Sequence, residues 1–321
     1  MGFKKYLWGI CYGILLTAFT GYILLDTFVL KQVYTVIPSE QDQASHGDTE
    51  ADLSNLSGLT ESNLDSAGND AESSSKEVTI TDRSYEDETI SIAITECRVY
   101  DSAVYVADIQ LSSVEYLKTA FAEDSYGKNV TEKTSSIAER NGAILAINGD
   151  YYGAQETGYV LRDGVLYRSS ASKNQEDLVI NADGSFSIIT EGEISAEELL
   201  ADGAQQILSF GPALIVDGTI AVSEGEEVGK AKSSNPRTAI GVIDPLHYVF
   251  VVSDGRTEES EGLSLYELAD FMQSLGVTTG YNLDGGGSST MVFNGEVINN
   301  PTSSGRSIKE RSVSDIVYIG Y

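Results

Sequence analysis

Basic residues are scarce in this chain: 20 Lys and Arg stand against 49 Asp and Glu over 321 residues, a formal net charge of −29. A nucleic-acid binder needs a basic face to displace counterions from phosphates, so that class is excluded. An anionic small substrate is not, because one local cluster of arginines can override the global sign. Cysteine is nearly absent, with only Cys11 and Cys97, which excludes a disulfide-stapled scaffold and any Cys-rich zinc module. Two histidines, His46 and His247, are too few for a His-based metal cage. Hydrophobic residues, in contrast, make up 41% of the chain and include 18 Tyr and 9 Phe. That is ample material for a core, so wholesale disorder is excluded too.

Charge is missing altogether from Tyr6 to Leu25, a mostly apolar run of 20 residues preceded by Lys4 and Lys5. About 20 apolar residues suffice for a helix to cross a bilayer core. Leu24, Leu25, Phe28, Val29 and Leu30 follow where a signal peptide would carry a small-residue cleavage site. Residues 1–37 therefore read as an uncleaved, single-pass membrane anchor, with Cys11 a packing residue inside it. The basic flank predicts a cytoplasmic N-terminus and an extracellular remainder. Residues 38–76 lack aromatics entirely, and nine acids against Lys76 give them −8. They read as a disordered, self-repelling linker, with no role assigned to His46. The anchor segment carries +2, which leaves −23 for residues 77–321.

From residue 77 onward the pattern is that of one strand-rich α+β domain of mixed sheets with a few short helices. Two β-rich runs, 90–100 and 103–111, flank Asp101-Ser102 and predict a hairpin. Thr134 to Arg140 predicts a helix stopped at Asn141-Gly142. Ser195/Glu198 and Ser264/Glu267 both fit capping boxes, the second opening a helix over Leu265–Leu275. Short strands are expected at 213–216, 239–243, 248–253, 290–293 and 316–319. Few prolines and no Pro/Gly-rich seam argue against a second domain. Cys97 reads as a core thiol and His247 as a strand-edge residue.

Polar groups gather where strands end. Asn148-Gly-Asp150 follows one buried strand, Ser253-Asp-Gly-Arg256 another, and Asn282-Leu-Asp-Gly-Gly-Gly-Ser-Ser-Thr290 a third. A single Asp-Gly is usually a turn, but three such platforms beside a triple glycine suggest a site on loops held by a rigid scaffold. Gly285, Gly286 and Gly287 let the backbone approach an anion with its N–H groups inward, and Ser288, Ser289 and Thr290 add hydroxyls. The loop lacks the Lys of a Walker motif, and Thr290 stands where a nucleophile elbow needs Gly. By its residues alone it is either an anion- or polar-ligand loop or a structural turn.

Asn148-Gly-Asp-Tyr-Tyr152, Phe210-Gly-Pro-Ala-Leu214, Asn235-Pro-Arg-Thr-Ala-Ile-Gly241, Ser253-Asp-Gly-Arg256, Leu283-Asp-Gly-Gly-Gly-Ser-Ser-Thr290 and Arg311-Ser-Val-Ser-Asp315 occur in the order seen in the phosphodiester glycosidase family. The resemblance spans roughly residues 95–321, and the segment 283–290 is its most specific part. It implies hydrolysis of the bond between a sugar C1 and a phosphodiester oxygen, freeing the sugar and leaving a phosphomonoester. The N-terminal anchor resembles that of a bacterial cell-surface protein.

Such a reaction builds positive charge on the sugar and negative charge on the departing phosphate, so carboxylates should face the anomeric carbon and arginines or amides the phosphate. The strand-end carboxylates Asp284, Asp254 and Asp150 are the candidate catalytic groups, the first two sharing nucleophile or base duties. Asn148 and Asp150 would position the sugar. Arg237 and Arg256 suit a bidentate phosphate clamp, while Arg311 and Arg162 are weaker candidates. No cofactor is required, although Asp150 could equally hold a structural divalent cation such as calcium. Two other classes remain open: a non-catalytic surface module binding anionic cell-wall glycan, and a transferase remodelling exported polysaccharide.

Overall fold

The structure, a computed structural model, describes residues 7–34, 78–225 and 234–321. The linker expected at 38–76, His46 included, falls outside the described residues. Where the apolar run predicted an anchor, the chain forms helix α1, Leu7–Phe28, with side chains such as Leu15, Phe19 and Leu24 exposed. No helix among the described residues is long and apolar enough to cross a membrane, so the expected membrane-spanning anchor is not borne out. The chain just beyond α1 also docks on the domain. Gln32–Val33 pairs antiparallel with Gly127–Lys128, and Asn129 Nδ2 donates to the carbonyls of Thr27 at 3.2 Å and Leu30 at 3.1 Å.

The expected hairpin is present. Strands Ile90–Val99 and Ser102–Leu111 pair antiparallel with Val99 opposite Ser102. Tyr100 and Asp101 both take positive φ, 47° and 55°, as a two-residue turn matched to strand twist requires. The hairpin belongs to a nine-stranded sheet that also contains His247–Ser253, Arg237–Asp244, Thr279–Leu283 and Ala213–Val216 as consecutive neighbours. A five-stranded sheet holds Met291–Phe293, Leu145–Asn148, Asp315–Ile319 and Leu117–Phe121 in that order. A second five-stranded sheet includes Val160–Arg162, Ala204–Leu208 and Glu176–Asn181. Mixed sheets were expected; the ladders between these strands all run antiparallel.

Strand-rich sheets with few helices fit the α+β class. Helix α2, Thr134–Arg140, ends as the Asn141-Gly142 signal predicts, with Gly142 at φ 62°. Helices α3, Ala196–Ala201, and α4, Leu265–Ser274, each open on a complete capping box at Ser195/Glu198 and Ser264/Glu267. Leu265, Leu268, Ala269 and Met272 of α4 are all buried, against Val104, Leu214, Ala239 and Val251 of the large sheet. The main core joins Ile92, Ile109, Ile147, Phe250, Tyr281 and Val317, side chains drawn from the nine-stranded sheet and the first five-stranded one. Cys97, expected in the core, is half-buried, and its thiol faces the Val104 carbonyl at 3.6 Å. His247 begins its strand beside Asp108, Nε2 to Oδ1 2.9 Å.

Candidate active site

Leu145–Asn148 of the five-stranded sheet and Thr279–Leu283 of the nine-stranded sheet end at the same place. Asn148, fully buried, holds them together. Its Nδ2 donates to the Asp284 carbonyl at 2.6 Å. Its Oδ1 accepts from Thr238 Oγ1 at 2.8 Å and from the Thr290 N–H at 3.2 Å. One amide thus fixes both ends of the glycine loop and the adjacent strand Arg237–Asp244. Asn148, expected to position the sugar, has both ends of its amide bonded to the protein.

Between those anchors the loop winds into a 3₁₀ turn, Gly286–Ser288. Several N–H groups expected to face an anion are spent inside it: Gly286 donates to the Pro236 carbonyl at 2.8 Å, and Ser288 and Ser289 to Gly285 and Gly286 at 3.3 Å each. The glycines serve close packing instead. A Cβ on Gly285 would meet the Pro236 carbonyl oxygen at 2.9 Å, one on Gly287 would meet Ser303 Oγ at 2.3 Å, and Gly286, at φ 63°, would bring one to 2.7 Å from Arg256 Nη2. The absence of side chains is what lets the Arg256 guanidinium lie directly on the loop.

Arg237, Arg256 and Arg311 line one cavity of about 150 Å³ together with Asp284, Gly285, Gly286, Asn235 and Phe210. Arg237 is almost wholly buried and donates from Nε to the Leu263 carbonyl at 2.8 Å. Arg256 is gripped by Asn235 Oδ1, at 2.9 Å from Nη2, and by the Ser303 carbonyl, at 2.7 Å from Nη1. Burial, and after it the neighbouring Arg311 charge, lower its pKa. Arg311 reaches the Asp284 carboxylate, Nη2 to Oδ2 2.8 Å, and the Ser288 hydroxyl, Nε to Oγ 2.8 Å. Ser288 Oγ in turn donates to the same Oδ2 at 2.5 Å. Burial raises the Asp284 pKa, against the opposing pull of Arg311 and Ser288. Three guanidinium groups facing one carboxylate make this a cationic site inside a strongly acidic chain.

The other two expected catalytic carboxylates do not line the cavity. Asp254 accepts from Asn299 Nδ2 at 3.1 Å, from the Asn300 N–H at 2.8 Å and from Asn300 Nδ2 at 3.0 Å. Asn299 also donates to the Ser289 carbonyl at 3.0 Å. Asp254 therefore braces the glycine loop from behind. Asp150 belongs to a buried ionic triad in which Arg162 Nη2 donates to its Oδ2 at 2.9 Å and to Asp315 Oδ2 at 2.8 Å. Asp150 further accepts from the backbone N–H groups of Tyr152 at 3.0 Å and Ser209 at 2.8 Å. A guanidinium already neutralises the carboxylate considered for a cation. Among the described residues no three His, Cys, Asp or Glu side chains gather where a metal ion could be held.

Of the residues expected from sequence, the cavity unites Asp284, Arg237, Arg256, Gly285 and Gly286, while Ser288 touches it through Asp284 and Arg311. Ser289 and Thr290 are buried, and their hydroxyl oxygens have no hydrogen-bond partner. Arg311, a weaker candidate by sequence, lies at the centre of the site. Asn235 and Phe210 were not expected as site residues. Both fall within motifs that carry the family resemblance, but an uncharged side chain gives no chemical signal by which to single it out.

A model of the phosphodiester glycosidase family matches residues 141–320. Over 201 residues the chain is 29% identical to the SPbeta prophage-derived uncharacterized protein YomE of Bacillus subtilis (strain 168), covering 61% of this chain and 31% of that protein. It is 31% identical over 178 residues to the N-acetylglucosamine-1-phosphodiester alpha-N-acetylglucosaminidase of Mus musculus, covering 50% of this chain and 34% of the enzyme. The chain thus spans about a third of the length of these curated relatives. In fold it is similar to the catalytic domain of the zebrafish N-acetylglucosamine-1-phosphodiester alpha-N-acetylglucosaminidase, solved auto-inhibited by its pro-peptide. That match has a TM-score of 0.58 at 21% identity and covers 72% of this chain and 83% of that one. A hypothetical protein from Synechocystis matches with a TM-score of 0.56 at 16% identity, over 73% of this chain and 62% of that one. The family match takes in every residue lining the cavity, and the chain belongs to the phosphodiester glycosidase family.

Proposed function

We propose that this chain is a hydrolase that cleaves a sugar-1-phosphodiester between C1 and the bridging oxygen. The observation that carries the reading is the single small cavity lined by Arg237, Arg256, Arg311 and Asp284. A diester phosphate carries one negative charge and presents two unbridged oxygens, which suits planar guanidinium donors. Asp284 then supplies the carboxylate that the developing positive charge at C1 requires. Water adds to C1 and gives one proton up to solvent, the C1–O bond breaks, and the oxygen leaves with its electron pair as part of the phosphomonoester. That leaving group departs without full protonation. One carboxylate in the cavity is therefore sufficient where an ordinary glycosidase uses two.

Arg311 couples the two halves of the site. Its guanidinium already bonds to Asp284 and Ser288, and donating to a bound phosphate draws N–H groups away from Asp284. The carboxylate is then freed as the substrate arrives. A module that only captured anions would gain nothing from a buried carboxylate in the anion's own cavity, which favours the catalytic reading. The transferase differs only in the acceptor, a sugar hydroxyl in place of water. Incubating the full chain with a panel of sugar-1-phosphodiesters, with and without a glycan acceptor, tests these readings. Free sugar and phosphomonoester released in equal amounts support the hydrolase, glycan extension the transferase, and phosphate binding without turnover the module.

We further propose that the enzyme is membrane-anchored and extracellular, on the apolar run at residues 6–25 and the basic flank at Lys4 and Lys5. Alkaline extraction of membranes from cells expressing the full chain separates an embedded α1 from a peripheral one.

A further inference from the structure

A second cavity opens where the chain beyond α1 lies on the domain. Its volume is about 340 Å³ against about 150 Å³ for the arginine-lined one, and the two share no lining residue. Asp26, Gln32, Tyr34 and Tyr126 line it and all precede residues 141–320, so this wall lies outside the family match. Gly127 lets the wall close: a Cβ there would meet the Gln32 carbonyl oxygen at 2.1 Å. The backbone beyond α1 can therefore lie against it and carry Tyr34 onto Tyr126, whose carbonyl accepts from the Tyr34 N–H at 2.9 Å.

Tyrosine rings make up the apolar part of the lining. Tyr126 stacks on the buried Tyr152, with ring centroids 5.4 Å apart and planes at 15°, and packs against Tyr167 at 5.1 Å. Tyr34 leans on Tyr126 at 5.7 Å and is the open member of the group, 47% exposed. Charge in this cavity cancels, unlike that in the arginine-lined one. Lys128 pairs with Glu156, Nζ to Oε1 2.6 Å. Arg168 donates to backbone carbonyls, to Gly158 at 2.6 Å and to Gln155 at 2.7 Å. Asp26 supplies a second carboxylate and accepts from Gln32 Nε2 at 3.0 Å.

An anion entering here meets Asp26 and Glu156. A quaternary ammonium, which tyrosine cages otherwise favour, meets Lys128 and Arg168. A neutral sugar ring meets neither obstacle. Its C–H face is apolar and suits a tyrosine ring, while its hydroxyls can donate to carboxylates and accept from amides. Aromatic walls with a few polar groups are the usual make-up of a small-molecule site. We propose that this cavity is a second, non-catalytic binding site for a neutral oligosaccharide, with Tyr34 as the face on which one ring stacks. The site stands apart from the hydrolase reading: it holds a glycan whether or not the arginine cavity cleaves one.

The test is saturation-transfer NMR on the full chain, kept in a detergent without sugar headgroups. Cellohexaose, maltohexaose and chitohexaose are the probes, choline chloride is the cationic comparator, and inorganic phosphate is the competitor. Irradiating aromatic protons should transfer saturation to the ring C–H protons of at least one hexasaccharide. Tyr34→Leu keeps apolar bulk at an exposed position but removes the ring face, and should weaken that binding roughly three- to tenfold. Tyr34→Phe should bind as wild type does. Inorganic phosphate should not displace the hexasaccharide, and its own affinity should be the same in all three proteins. A wild type that binds none of the hexasaccharides overturns the site. So does binding that Tyr34→Leu leaves unchanged, binding that phosphate displaces, or tighter binding of choline. A chain that binds a hexasaccharide but cleaves no sugar-1-phosphodiester leaves the site standing and removes the hydrolase reading.

Discussion

Arg311 sets its guanidinium 2.8 Å from the Asp284 carboxylate at the floor of the cationic cavity. The Arg311 side chain is 43% exposed and that of Asp284 11%, so the arginine is the solvent-side partner of a carboxylate sealed behind it. Because the arginine stays solvated and Ser288 also bonds to the carboxylate, the pair adds little to the stability of the fold. Its weight falls on the site. Arg311→Ala should leave the midpoint of thermal unfolding within a few degrees of wild type while weakening phosphate binding about tenfold or more. Arg311→Lys should recover only part of that loss, because an ammonium lacks the planar fork of donors that matches a carboxylate or phosphate. Calorimetric titration with inorganic phosphate, paired with a thermal melt, separates the two effects.

Asp254 and Asp284 should behave differently when each is made an amide. Asp254 accepts three N–H bonds from Asn299 and Asn300, and an amide there sets an NH₂ donor against donors. Asp254→Asn is expected to lose about 2–4 kcal/mol of stability while its kcat/KM at low temperature falls by about tenfold or less. If instead the variant folds with wild-type stability and is inactive, Asp254 acts on the substrate directly and the bracing role is wrong.

Gly286 is a more delicate position. Alanine there must hold φ at 63° and place its Cβ 2.7 Å from Arg256 Nη2. The backbone alone costs about 1–2 kcal/mol, and Arg256 has to shift off the loop. Gly286→Ala should raise KM for the phosphodiester severalfold with a smaller change in kcat, measurable by steady-state kinetics. Unchanged KM would mean that Arg256 does not touch the substrate.

The buried triad predicts how stability varies with pH. Burial, and next the Asp150 charge, push the Asp315 pKa up to about 7, against the opposing pull of Arg162. Its folded-state pKa therefore lies above the unfolded value of 3.8. Between about pH 4 and 7 the folded chain retains a proton that the unfolded chain has lost. This contribution is fully present below pH 4 and is lost as pH rises through 7, at up to about 1.4 kcal/mol per pH unit. Urea unfolding at pH 5 and pH 7.5 should show it, and Asp315→Asn should flatten the difference. Arg162→Met should cost about 3–5 kcal/mol at neutral pH, since it leaves two buried carboxylates without a counter-ion.

Local signals in the sequence translate most directly into structure. The Ser195/Glu198 and Ser264/Glu267 pairs, Asn141-Gly142 and the hairpin at residues 100–101 each encode their geometry within four residues, and all are present. The strand-end position of Asp150, Asp254 and Asp284 is equally legible, but their roles are not. Whether such a carboxylate faces a cavity or a buried partner depends on residues far away in the chain: Asn299 and Asn300 for Asp254, Ser209 for Asp150. Arg311 is hard to single out by sequence for the same reason, because its partner Asp284 lies 27 positions away. By sequence the glycine loop is either an anion loop or a structural turn; in the fold Ser288 and Ser289 N–H close a 3₁₀ turn, Gly286 N–H goes to the Pro236 carbonyl, and Arg256 lies against Gly286.

The most direct test is to follow a sugar-1-phosphodiester by phosphorus and proton NMR with the full-length wild type and with Asp284→Asn. The account predicts that wild type releases free sugar and phosphomonoester in equal amounts. Asp284→Asn should be slower by about a thousandfold or more while still binding inorganic phosphate, because the three arginines remain. An Asp284→Asn variant that turns over at the wild-type rate, or a folded wild type that binds phosphate yet releases no sugar from any member of the panel, would contradict it.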